Sequence, residues 1–116
     1  MTVAFDIQHL QLVGGEPRVC DRDLAKALGI SLDLMRYRIG EREKDFASWG
    51  SPTWTKSTNR YGRPAVDIYL SLPVAVYLCD DFQTPTSDET KKALRRVFEE
   101  YARGLETIRK HLDSMK

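Results

Sequence analysis

The chain has 116 residues, 41% of them apolar and 30% charged, with a formal net charge of +1. That balance is ordinary for a globular domain with one core, and the charge argues against a protein that coats nucleic acid non-specifically. No apolar run approaches the roughly 20 residues of a bilayer span, and the opening MTVAFDIQ has no basic-then-apolar leader, so cytoplasmic residence and no membrane partner are expected.

Apolar residues alternate at Val3, Phe5 and Ile7 and resume at Leu10, Leu12 and Val13 after a slip near His9, which predicts a strand. Gly14 and Gly15 form a turn, and Pro17 to Cys20 a returning strand. Asp21 is the expected N-cap of a first helix with an apolar stripe of Leu24, Ala25 and Leu28, which Gly29 ends. Ser31 is a second N-cap, followed by Leu34, Met35 and Ile39 at helical spacing. Two helices of about eight residues, joined by three, predict a helix-turn-helix unit.

Gly50 and Pro52, flanked by Ser48 and Ser51, mark a loop. TWTKST and AVDIYL suit two strands around the turn residues Asn59 and Gly62. Between Phe46 and Val66 there is no acidic residue, while Lys56, Arg60 and Arg63 are present, so the hairpin carries a basic tip. Ser71 and Pro73 open a short helix that is apolar almost all round and therefore expected to be buried. After the linker QTPTSDET comes a long helix whose apolar residues Leu94, Phe98, Tyr101, Leu105, Ile108, Leu112 and Met115 follow a 4-3 spacing.

In a helix-turn-helix the second helix enters the major groove. Its expected outward residues are Ser31, Leu32, Asp33, Arg36, Tyr37 and Gly40, with Arg38 and Arg42 further round. Arg36 is the candidate for a bidentate contact to guanine, and Tyr37 and Arg38 for phosphates. Asp33 opposes phosphate unless it accepts from a cytosine amine. The competing reading is that these arginines merely solvate a helix beside Glu41, Glu43 and Asp45. Likewise, Lys56, Arg60 and Arg63 suit either a wing contacting phosphates or a sheet edge protected by charge.

The heptad seam suits pairing of two or more chains, with Glu99, Glu100, Arg103, Glu106 and Arg109 as flanking ion-pair partners. Alternatively, the helix folds back on its own domain, as its part from Leu94 to Tyr101 is expected to do. Cys20 and Cys79 lie far apart in apolar settings and read as small buried hydrophobes, not a disulfide. His9 and His111 have no ligand neighbours, and Asp80 and Asp81 form an isolated pair, so neither a metal site nor an enzyme is expected. No cofactor is called for.

The segment RVCDRDLAKALGI, a later Tyr/Arg-containing hairpin, IYLSLPVAVYLC and KKALRRVFEEYARG together resemble the amino-terminal domains of phage antirepressor and phage regulatory proteins of the Rha and Bro/KilA-type group. The similarity runs from about Pro17 to Gly104. It implies a phage or prophage regulator with a DNA-binding-like module, acting on DNA or on a repressor protein; larger members carry a second domain after this one. The expected architecture is α+β: a winged helix-turn-helix domain over residues 1–84 with an N-terminal β-hairpin, then a C-terminal oligomerisation helix over 85–116. The expected function is a transcriptional regulator that binds duplex DNA as a homodimer or higher oligomer. The alternatives are an antirepressor that sequesters a repressor, and an inhibitor of another host protein.

Overall fold

The computed structural model describes residues 9–58 and 60–115. The strand expected from Val3, Phe5 and Ile7 and the turn residue Asn59 lie outside the described residues. Strand β1 (Leu10–Val13) and strand β2 (Glu16–Cys20) pair antiparallel through a turn in which Gly14 and Gly15 both take positive φ. The chain then enters helix α1 (Asp21–Leu28). Gly29, with φ of 72°, ends it in the left-handed conformation, where an L side chain is strained. Helix α2 (Leu32–Arg42) starts at Ser31, whose hydroxyl accepts from the Leu34 N–H at 3.1 Å. It has eleven residues, longer than expected, and runs into a 3-10 stretch (Glu43–Trp49) that the loop-forming residues around Pro52 had masked.

Strands β3 (Thr53–Thr58) and β4 (Pro64–Leu70) form the second hairpin. The result is an α+β structure with one four-stranded antiparallel sheet, ordered β1-β2-β4-β3. Helix α3 (Leu72–Phe82) follows with Pro73 in its first turn, and helix α4 (Ser87–Ser114) closes the chain.

The core forms where these elements meet. Val19, Ile68 and Leu70 of the sheet face Leu24, Ala25 and Leu28 of α1, Met35 and Ile39 of α2, and Val74, Ala75, Leu78 and Cys79 of α3. Helix α3 is thus sided: Val76 and Tyr77 are half-buried, and burial all round is not observed. Phe46, fully buried, enters from the 3-10 stretch and meets the Tyr77 ring edge-on at 5.5 Å. The first turns of α4 belong to this core through Thr90, Ala93, Leu94 and Val97, whereas every residue from Ala102 to Met115 is exposed. The seam therefore divides: Leu94 is buried, Phe98 and Tyr101 are half-buried, and Leu105, Ile108, Leu112 and Met115 face solvent.

Candidate nucleic-acid interface

Helix α1, the turn at Gly29 and helix α2 make a two-helix unit, and the β3–β4 hairpin stands beside it. What joins them is the edge of β4. β2 pairs with β4 only at Val19–Leu70 and Cys20–Tyr69, because the chain becomes helical at Asp21. The Ile68 N–H and the Val66 carbonyl are left without a strand partner there, and unpaired buried backbone groups are costly. Two side chains replace the missing strand. Asp21 accepts from the Ile68 N–H at 3.3 Å, and Arg36 donates through Nη2 to the Val66 carbonyl. Arg36 Nε also donates to Asp21 Oδ2 at 2.9 Å, closing the set.

Two expectations are corrected by this geometry. Asp21 does not cap α1: it is the first helical residue, fully buried, and the capping position belongs to Cys20, which makes no side-chain cap bond. Arg36 does not point outward from α2; its guanidinium turns in toward Asp21, since a buried carboxylate requires a partner.

Arg38 and Arg42 are also engaged within the fold. Arg38 donates to Asp81 at the end of α3, lies 3.4 Å from Glu41, and stacks its guanidinium 4.8 Å above the Phe82 ring. Arg42 reaches the other Asp81 oxygen at 3.6 Å. Asp80, its neighbour, accepts from Lys91 of α4 at 2.6 Å, so the acidic pair ties α3 to α2 and to α4. Both arginines are engaged by acids while still partly exposed, so they are not a row of free donors.

What α2 presents to solvent is Ser31, Asp33, Leu34, Tyr37, Gly40 and Glu41, a surface of mixed apolar and acidic character. Two arginines, each paired with a carboxylate, lie to one side. Leu32 and Arg36 of α2, Arg22 of α1 and Pro64 to Asp67 of β4 line an open groove of about 590 Å³. Arg22 donates to Asp67 at 3.2 Å while staying half exposed. Beyond the groove Lys56 is exposed within β3, and Arg60, Tyr61 and Arg63 are exposed at the hairpin tip, where the Arg60 guanidinium sits 4.9 Å above the Tyr61 ring. Trp54 is exposed on the same outer strand. Residues missed by sequence reasoning are therefore Arg22, Trp54 and Tyr61. The hairpin residues Lys56, Arg60 and Arg63 are where the sequence pattern put them, whereas Arg36, Arg38 and Arg42 are drawn toward acids.

Near the groove, Cys20, Asp21 and Asp67 bring one sulfur and two carboxylates within 4.8 Å of one another. The thiol donates toward Asp21 at 3.5 Å and toward Asp67 at 3.9 Å. Burial pushes the Cys20 thiol up to about 11, and the two carboxylates add to the rise. With Arg36 on Asp21 and Arg22 on Asp67, the cluster is neutralised by protons and guanidinium groups that already belong to the chain.

Comparison with known proteins yields no match to any family model, to any curated protein or to any solved structure.

Proposed function

We propose that this protein is a phage-type regulator that binds duplex DNA as a winged helix-turn-helix, with the β3–β4 hairpin as wing and principal source of phosphate contacts. The observation that carries the reading is the β3–β4 hairpin beside the two-helix unit, with Lys56 on β3 and Arg60 and Arg63 at its tip all exposed in a segment without acidic residues. Phosphate attraction supplies most of the affinity of such modules, and exposed aromatic rings beside it add stacking or sugar contacts. In this reading Arg36 shapes the groove floor and holds the unit together; Tyr37, Ser31 and Asp33 are what α2 can offer to base edges. Discrimination between sequences is then weak relative to total affinity.

The test is binding of the pure protein to a pool of short labelled duplexes across a salt series. Lys56→Ala and Arg60→Ala should each weaken all sequences alike and reduce the salt slope by about one. Absence of binding at low salt sinks the reading.

A second reading is favoured by a specific feature, the exposed Leu34 and Tyr37 between Asp33 and Glu41 on α2. Such a face suits a repressor or other host protein better than phosphates, as exposed apolar groups ringed by polar ones do. Under it, Tyr37→Asp abolishes nuclease-resistant capture of a repressor and Lys56→Ala does not.

A further inference from the structure

The outer half of α4 has no partner within the described fold. Leu105, Ile108, Leu112 and Met115 are 48%, 57%, 56% and 70% exposed, and they lie on one stripe that continues Phe98 and Tyr101. The acidic residues of this helix are occupied elsewhere on it: Arg96–Glu100 and Arg103–Glu99 at 3.9 Å and Lys110–Glu106 at 3.6 Å are all on the opposite face. The flanks of the stripe are instead Ala102, Gly104, Arg109 and His111. Interchain ion pairs through the glutamates, one expectation from the sequence, are thus not what this surface offers.

We infer that a second copy of this chain covers the stripe, with the two α4 helices antiparallel over residues 98–115. In that register Leu105 meets Ile108 of the second copy, Tyr101 meets Leu112 and Phe98 meets Met115, so large rings lie opposite flexible or slender side chains. The flanks match in the same register. Arg109 faces Ala102 and His111 faces Gly104, so each basic side chain meets a small neutral one and no like charges are set together. A parallel pair would stack Phe98 on Phe98 and Tyr101 on Tyr101 where both rings are already half-buried against their own domains, and would bring the two domains to the same level. The antiparallel pair brings only a helix tip there, and opposes the helix dipoles. The paired stretch is about 27 Å long. It buries on the order of 1,000 Å² in all, the size at which specific association begins. This inference is independent of what the hairpin binds.

Sedimentation of the full chain from about 1 to 500 μM should show a reversible monomer–dimer equilibrium. Leu105→Asp, at an exposed position, should raise the dissociation constant at least tenfold while helix content and melting behaviour persist; Ile108→Lys is the second variant and should do the same. A nitroxide on Ser114→Cys, attached at pH 7 where the native thiols react slowly, reads the orientation. At 1.5 Å per residue the antiparallel dimer offsets the two label sites by about 22 Å along the axis, whereas a parallel one leaves them level, so the antiparallel pair gives the longer distance by about 10 Å. A monomer at every concentration, a dimer that neither substitution weakens, or the short label distance would each overturn the inference.

Discussion

Asp21 and Arg36 show how one ion pair can be structural in a place that suggests recognition. Asp21 is fully buried, and both of its oxygens are occupied, one by a backbone N–H and one by Arg36. Removing one partner of a buried pair leaves the other uncompensated, which costs about 3 kcal/mol or more. Arg36→Ala should therefore lower the midpoint of chemical denaturation sharply, and Arg36→Lys should recover only part, because an ammonium cannot bridge Asp21 and the Val66 carbonyl as the planar fork does. If Arg36→Ala melts like the parent, the strand-edge role is wrong. Cysteine chemistry gives a second prediction. The Cys20 thiol is pushed up to about 11 and Cys79 to about 12, both chiefly by burial. A folded-state value raised above the ordinary 9.0 means that the protonated form contributes stability fully below pH 9, and this is lost as pH rises toward 11 and 12. Alkylation by iodoacetamide should be slow at pH 7 to 8 and accelerate only in strong base or on unfolding; fast labelling of both thiols of native protein at pH 7.5 would contradict the upward shifts at half-buried Cys20 and buried Cys79.

At the scale of elements, the turn between α1 and α2 rests on Gly29. Its position has open space around a built side chain, so the cost of replacement is conformational and not steric. Gly29→Ala should destabilise by about 1 kcal/mol, the penalty of a left-handed L residue, and a stabilised Gly29→Ala variant in thermal melts would refute that account. The clasp at the end of α3 has a different basis. Asp81 holds Arg38 and Arg42 of α2 from side chains that are about a quarter or more exposed, so each contact contributes little by itself. Asp81→Ala should cost on the order of 1 kcal/mol and leave the sheet unaffected, which amide exchange resolves element by element. These elements were largely readable from local pattern. Glycine at a helix end, serine at a helix start and alternation through Val66, Ile68 and Leu70 all act over a few residues, and they predict α1, α2 and β4 correctly. The 3-10 stretch was not readable, because Glu43–Trp49 has no apolar period of its own and is held by Phe46 and Trp49 packing around Tyr77.

The whole molecule is built around a core to which every helix contributes, and Phe46 sits in it with no exposure. Phe46→Ala should cost about 3 to 5 kcal/mol, since the ring's burial and the cavity it leaves both count. A smaller loss in equilibrium unfolding would mean that the 3-10 stretch can collapse into the gap. With Arg36 drawn onto Asp21 and Arg38 and Arg42 onto Asp81, the exposed basic residues beside the two-helix unit are those of the β3–β4 hairpin and not those of α2. The sequence by itself determined the order of strands and helices, the acid-free hairpin and the periodic stripe of α4, because each depends on neighbours a few positions away. Only the tertiary structure decided which charges remain available. Arg36 meets Asp21 across 15 positions and Arg38 meets Asp81 across 43, and no local rule selects such partners. The same holds for the stripe on α4: its period is local, but where it leaves the core, just beyond Tyr101, is set by how far the other helices reach.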